Sequence, residues 1–147
     1  MGRGPGGAVG MTHLVVLDNE AVQAMGDPDH PKHRRVMSHI QVVAHRRRRS
    51  VPISLVVPTS VRVEAGWDRS SPRSASRNLL RVADAPLDPG QADLASQIRV
   101  RAGVSVADAH VGAVIEAAAG ARVSVITSDP RDMRNVAGDA PVTIVTL

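Results

Sequence analysis

The chain has 147 residues, enough for one domain with a buried core but too few for two. Basic residues outnumber acidic ones by 18 to 14, and all but Lys32 of them are arginines, so RNA or an acidic protein partner is expected. The lack of cysteine excludes a disulfide framework, a zinc ribbon and a thiol nucleophile, and it favours a cytoplasmic location.

The N-terminal segment at residues 1–10 reads "MGRGPGGAVG" and contains no apolar core or periodicity. It is therefore predicted to be a disordered leader rather than a signal peptide, and residues 11–147 are predicted to form the folded domain. Met11 is an alternative start. No apolar run approaches the roughly 20 residues of a membrane span, so no membrane partner is expected.

Short runs of Val, Ile and Leu alternate with helical segments along the rest of the chain, which is typical of an α/β domain with a mostly parallel sheet. Because the runs are apolar without alternation, the strands are expected to be covered on both faces. The predicted strands are residues 12–17, 53–57, 82–87, 122–127 and 142–146.

Helices are predicted between these strands from apolar periodicity and capping residues. Residues 29–45 carry one apolar stripe, and the four arginines at 46–49 suit its C-terminus; they form either a solvated basic corner or a contact with RNA or a partner. A later helix begins at Asp88 and Pro89, has Gln91 as the second half of a capping box, and ends at Gly103. The other predicted helices are residues 59–67, 105–119 and 129–136.

Asp18 and Asp129 each stand directly after an apolar strand. In a doubly wound sheet, ligands bind outside the carboxyl ends of the strands where the strand order reverses, so these two acids could meet there. Alternatively, each caps the helix that follows it, and Pro130 after Asp129 fits that interpretation. A capping carboxylate keeps an oxygen free, so the two roles are compatible.

Asp108 and Glu64 lie beside the apolar faces of their predicted helices. Asp108 shares a face with Val111 and Ile115, where an unpaired carboxylate is costly to bury, although Ser105 and Asp108 also fit a capping box. Glu64 follows the strand at 53–57, and a surface glutamate is the alternative interpretation.

Four carboxylates from separate segments would repel one another unless a divalent cation neutralised them. Hard oxygen ligands of this kind select Mg²⁺ or Mn²⁺, and such an ion can activate water and hold a phosphodiester for attack. Thr127 and Ser128 add hydroxyl groups at the same strand end.

Other chemistries fit the spacing less well. Haloacid-dehalogenase phosphatases need a second Asp where this chain has Glu20, and receiver domains need a lysine after a late strand, whereas the single lysine is Lys32. The histidines lack the spacing of a zinc site. His110 is expected to be solvated or satisfied in the core.

Four sequence segments match the order and approximate intervals of the acidic motifs of PIN domains: "VVLDNEAV", "VPTSVRVEAG", "VSVADAHVGAVI" and "VITSDPRDM". The chain resembles the VapC-type ribonuclease toxins of bacterial toxin–antitoxin modules from Met11 to Leu147. The resemblance implies a three-layer α/β/α fold, a pocket for Mg²⁺ or Mn²⁺, an RNA substrate cleaved by metal-activated water, a cognate antitoxin that inhibits the enzyme, and a homodimer.

The resemblance also implies roles for individual residues. Asp18, Glu64, Asp108 and Asp129 correspond to the acidic quartet that holds the metal, and Thr127 corresponds to the polar residue that positions a ligand or water. Asp132 is an alternative to Asp129 as the fourth acid. Many relatives have a small hydroxyl residue where this chain has Glu20, so Glu20 either points away or makes the site more acidic. A non-catalytic PIN-like module that binds RNA or a partner, and a metal-dependent phosphatase of small molecules, are the alternative functions.

Overall fold

A computed structural model describes residues 12–147. The predicted leader at residues 1–10 and the alternative start at Met11 lie outside the described residues, so both stay predictions. The longest described helix has 16 residues, and no helix within 12–147 combines the length and apolar character needed to cross a membrane.

The centre of the fold is a sheet of five strands that all pair in parallel, in the order β3-β2-β1-β4-β5. Val15 in the central strand faces Leu55 on one side and Ser124 on the other. All five predicted strands are present; the third ends at Ala85 rather than at residue 87, just before Pro86, which has no N–H to donate to the sheet. The strands are β1 His13–Leu17, β2 Ile53–Pro58, β3 Val82–Ala85, β4 Arg122–Thr127 and β5 Thr143–Thr146.

Seven α-helices and one short 3₁₀ helix, Pro72–Ser74, connect the strands in the described part of the chain. The helix predicted at 29–45 begins later and runs further, because residues 27–30 form a turn in which the His30 N–H donates to the Asp27 carbonyl. The α-helices are α1 Asn19–Gly26, α2 His33–Arg48, α3 Thr59–Ala65, α4 Ala75–Asn78, α5 Pro89–Ala102, α6 Val106–Ala117 and α7 Pro130–Ala137.

The strand order places helices on both faces of the sheet. The chain moves outward from β1 to β3, then returns past β1 to β4 and continues to β5. Because such crossovers are right-handed, the connections before β3 cover one face and those after it cover the other. In agreement, α1 packs against α2, and α6 packs against α5 and α7. The strand order reverses between β1 and β4, and α3 contacts both α1 and α6 beyond the end of β2.

The core is densest around the central strands and α6. Val16, Leu17, Val125 and Ile126 are almost completely buried in β1 and β4. Eight residues of α6 are buried as well, and a Cβ on Gly112 would lie 2.9 Å from the Val136 carbonyl oxygen. α6, which carries Asp108, therefore packs closely against α7.

Several sequence-predicted helix signals are confirmed, and one is wrong. Asp88 caps α5 by accepting a hydrogen bond from the Gln91 N–H, and Gly103 ends that helix with a positive φ of 67°. The Gln91 side chain does not complete the capping box, because its amide donates to the Ala113 carbonyl on α6 instead. A packing contact between the two helices therefore replaces the local one.

Candidate active site

Asp18 is a buried carboxylate at the point where the strand order reverses. It follows β1 and caps α1, with Oδ1 accepting from the Asn19 N–H at 2.7 Å. Its Oδ2 accepts from the Thr127 hydroxyl at 2.7 Å. Burial raises the pKa of Asp18 against the opposite effect of these two hydrogen bonds, and the charges of Asp129 and Glu20 raise it further. The side chain is therefore held in one orientation with negative charge close by.

Thr127 joins the first and last acids of the predicted quartet. It ends β4 and is fully buried, and while its hydroxyl donates to Asp18, its oxygen accepts the Asp129 N–H at 2.9 Å. Asp129 is exposed and caps α7 by accepting the Asp132 N–H at 3.1 Å, as the Pro130 pattern predicted. One hydroxyl thus fixes two acids that lie far apart in the sequence.

The pKa of Asp108 gives the clearest sign that the acids lie close together. It lies in the first turn of α6, where its N–H donates to the Ser105 hydroxyl at 3.1 Å. Burial is the main reason that the pKa of Asp108 rises from 3.8 to about 6. The rest of the rise comes from four neighbouring carboxylates, those of Asp18, Asp132, Glu64 and Asp129.

These five side chains form the acid cluster: Asp18, Glu64, Asp108, Asp129 and Asp132. Glu64 is exposed in the last turn of α3, and a hydrogen bond to Asp129 raises the pKa of Asp132. All four acids of the predicted quartet therefore lie close enough for the other three to raise the pKa of Asp108, and so does the alternative fourth acid, Asp132.

Within residues 12–147, no ion pair neutralises the acid cluster. The ion pairs there join Glu20 to His30 and Lys32, and Asp84 to Arg62 and Arg69. Uncompensated carboxylate oxygens suit a hard divalent cation. However, no three His, Asp or Glu side chains in the same residues are arranged to hold a metal ion as they stand. The residue types of the acid cluster are those that Mg²⁺ or Mn²⁺ prefers as ligands.

Glu20 is a neighbour of the acid cluster whose partners were not predicted from the sequence. Its Oε1 lies 3.2 Å from His30 Nε2, and its Oε2 lies 3.7 Å from Lys32 Nζ and 3.4 Å from the Ser128 hydroxyl. The only sequence signal was that an acid replaces a small hydroxyl residue at this position. Lys32, which looks remote in the sequence, comes close to the site through the turn before α2.

His110 is a core residue rather than a solvated one. It is completely buried, and its Nδ1 accepts from the Ser60 N–H at 3.4 Å and lies 3.1 Å from the Ser60 hydroxyl. Burial lowers the pKa of His110. Its Nε2 has no hydrogen-bond partner among the described residues. His110 therefore links α6, which carries Asp108, to α3, which carries Glu64.

The arginine run and the loop arginines lie away from the acid cluster or have structural partners. Residues 46–49 end α2 just before β2 starts, so the run lies at the amino edge of the parallel sheet, opposite the acids. The Cζ atoms of Arg69 and Arg77 lie 4.2 and 5.5 Å, respectively, from the centre of the buried Trp67 ring. Arg69 also pairs with Asp84 at 3.0 Å. The solvated and structural interpretations fit these groups better than RNA contact at the acids.

Comparison with known proteins establishes the fold. No family model and no curated protein matches the chain. Among solved structures, it is similar to a chain of VapBC2 from Rickettsia felis bound to a promoter DNA fragment, with a TM-score of 0.58 and 9% identity over 91% of this chain and 98% of that one. It is also similar to a chain of FitAB bound to the IR36 DNA fragment, with a TM-score of 0.55 and 16% identity over 88% of this chain and 94% of that one.

Both of these structures are complexes with a DNA fragment. At these identities the likeness is one of fold, and it confirms the predicted α/β/α PIN-like architecture around a parallel sheet. The chain therefore shares the fold of the matched chains in the VapBC2 and FitAB structures.

Proposed function

We propose that this chain is a Mg²⁺- or Mn²⁺-dependent endoribonuclease and the toxin of a toxin–antitoxin pair. The observation that carries the proposal is the set of four carboxylates around Asp108 at the carboxyl edge of the sheet, whose charges add to the effect of burial in raising its pKa to about 6. Since these acids come from four separate elements and lack basic partners within residues 12–147, a divalent cation is the simplest group that would stabilise them together.

Asp18, Asp108 and Asp129 would hold the ion, and Glu64 would bind it through water or orient the attacking water. Asp132 is close enough to Asp129 to share or replace its role, since its backbone N–H donates to Asp129 Oδ1 at 3.1 Å. When bound, the ion would supply a lowered pKa for water and neutralise charge on the phosphodiester. Cleavage then requires a polyanionic substrate to approach a site that is strongly negative without its cation.

Thr127 and His110 would act as positioning residues in this proposal. Thr127 donates to Asp18 and thereby favours its ionised form, which is the form that coordinates a metal. The same hydroxyl oxygen fixes the backbone of Asp129. His110 holds the N-terminus of α3 against α6, and so sets the distance between Glu64 and Asp108.

The biological partners are proposed from the two structural neighbours. Both are toxin–antitoxin complexes, which supports a cognate antitoxin as the inhibitor of this chain. An RNA substrate follows from the proposed chemistry and the excess of arginine. The predicted homodimer and the predicted cytoplasmic location stay predictions.

RNA cleavage by matched variants tests the proposal. Purified wild-type protein should cut labelled single-stranded or structured RNA with Mn²⁺ or Mg²⁺, and EDTA should stop the reaction. Asp18→Asn should abolish cleavage, whereas Glu116→Gln, which removes an exposed charge from the far end of α6, should not. Expression of the wild type without a partner should also be more toxic than expression of Asp18→Asn.

Three results would contradict the enzyme proposal in different ways. If no RNA is cut and the wild type and Asp18→Asn are equally harmless, the nuclease assignment fails. RNA binding without cleavage would instead support the non-catalytic module. Release of phosphate from nucleotides without RNA cleavage would support a small-molecule phosphatase.

A further inference from the structure

Two hydrogen-bond partners, His30 and Ser128, and one ion-pair partner, Lys32, surround the carboxylate of Glu20 at the rim of the acid cluster. His30 Nε2 lies 3.2 Å from Oε1, while Lys32 Nζ and the Ser128 hydroxyl lie 3.7 and 3.4 Å from Oε2. We call His30, Lys32 and Ser128 the Glu20 donor group. The donors come from two separate segments, the turn before α2 and the end of β4, so the group depends on the tertiary fold.

The turn before α2 fixes the donor group independently of Glu20. The Lys32 N–H donates to His30 Nδ1 at 3.0 Å, so Nδ1 carries no hydrogen and Nε2 must be the nitrogen that donates to Glu20. The His30 N–H donates to the Asp27 carbonyl at 3.0 Å, and Asp27 Oδ1 accepts the Asp29 N–H at 3.0 Å. The imidazole therefore points its N–H toward the rim whether or not Glu20 is present.

The donor group adjoins the acid cluster directly. Ser128 stands between Thr127 and Asp129, and Glu20 is close enough to Asp18 to act on it electrostatically. Lys32 supplies a full positive charge here, whereas the arginine run at residues 46–49 lies at the opposite edge of the sheet. Lys32 therefore places a positive charge beside Glu20 at the rim of the acid cluster.

We propose that the Glu20 donor group is a subsite for an RNA backbone phosphate next to the scissile one, and that Glu20 occupies this subsite in the free protein. The inference rests on the proposed nuclease function. Carboxylate and phosphodiester oxygens accept the same charge-assisted hydrogen bonds, and each carries one negative charge. The Glu20 side chain is 35% exposed, so it can leave the donors without unpacking the core. Glu20 then competes with the substrate phosphate for the Glu20 donor group.

RNA binding by the cleavage-deficient Asp108→Asn protein, with Glu20→Ala or Glu116→Ala added, separates this subsite from catalysis while reducing the negative charge at the acids. Fluorescence anisotropy with labelled single-stranded RNA would compare Glu20→Ala with Glu116→Ala, which removes the same charge from an exposed position away from the site. Glu20→Ala should bind about fivefold more tightly than Glu116→Ala, because Lys32 and His30 are released from their partner. Glu20→Gln provides the same comparison if the alanine variant does not fold.

The double variant Glu20→Ala with Lys32→Ala tests whether the gain passes through Lys32. Most of its gain over Lys32→Ala alone should be lost, with only the part that passes through His30 remaining, while Arg35→Ala, an exposed charge on α2, should leave the gain from Glu20→Ala in place. Equal affinities of Glu20→Ala and Glu116→Ala would overturn the subsite, as would a gain that the loss of Lys32 does not reduce. A thermal shift of Glu20→Ala by inorganic phosphate without tighter RNA binding would also overturn it, in favour of a free phosphate site.

Failure of the subsite and failure of the nuclease are distinguishable. If the wild type cuts RNA with Mn²⁺ but Glu20→Ala gains no affinity, the subsite is wrong and the nuclease stands. If no variant cuts RNA but Glu20→Ala gains affinity through Lys32, the phosphate subsite stands and the nuclease is wrong.

Discussion

Replacement of Asp108 by Asn is expected to stabilise the metal-free protein at pH 8. The rise of the Asp108 pKa from 3.8 to about 6 corresponds to at most about 3 kcal/mol, and because the side chain is partly exposed, solvent screening reduces this to about 1 to 2 kcal/mol. For a chain of 147 residues, this is a rise of about 3 to 6 °C in the unfolding midpoint. Asn keeps the shape of the side chain and its backbone N–H while it removes the charge.

The stability difference between the Asn variant and the wild type is expected to depend on pH. Because folding raises the pKa of Asp108, the native state binds a proton more tightly than the unfolded state, and this stabilisation is lost as the pH rises from about 4 through about 6. The Asn variant has no such proton. Its advantage over the wild type should therefore be largest at pH 8 and small near pH 4.5.

Thermal and urea unfolding in EDTA, followed by circular dichroism at both pH values, measures this difference. Glu116→Gln on the same helix is the control and should have little effect at either pH, since its side chain is exposed. An Asn variant that is less stable than the wild type at pH 8, or equally more stable at both pH values, would refute the rise in the Asp108 pKa that burial and the neighbouring carboxylates cause.

Further predictions concern the residues that hold the site together. Thr127→Val should cost about 1 to 3 kcal/mol in urea unfolding because it leaves the buried Oδ2 of Asp18 and the Asp129 N–H without their partner, whereas Thr127→Ser should recover most of the loss. Gly112→Ala should also destabilise, by about 1 to 3 kcal/mol, since the added methyl would lie 2.9 Å from the Val136 carbonyl oxygen; a stable variant would show that α6 and α7 separate easily. Mg²⁺ should raise the unfolding midpoint of the wild type but not that of Asp18→Asn, and equal rises would argue against an ion at these acids.

Local signals in the sequence were sufficient for the elements and for the placement of the acids. Asp18 and Asp129 were predicted from apolar runs that end on an acid, and both cap the following helix as well as facing the same edge of the sheet. Asp108 was predicted from a carboxylate beside an apolar stripe, and its partial burial bears this out. These features depend on residues within one helical turn or on the general topology of parallel sheets.

Contacts made by tertiary packing were not predictable in the same way. The Gln91 amide reaches α6 rather than its own helix terminus, and His110 pairs with Ser60 across 50 positions in the sequence. The approach of Lys32 and Ser128 to Glu20 depends on the turn at residues 27–32 and on the pairing of β1 with β4. No periodicity or spacing marks such contacts, because they arise only when distant elements pack together.

Titration of Mn²⁺ into the protein by isothermal titration calorimetry tests the central claim most directly, namely that carboxylates from separate elements form one cation site. The wild type should show saturable binding that is lost in Asp18→Asn and Asp108→Asn and kept in Glu116→Gln. No binding to the wild type, or binding that all four proteins share, would contradict the claim.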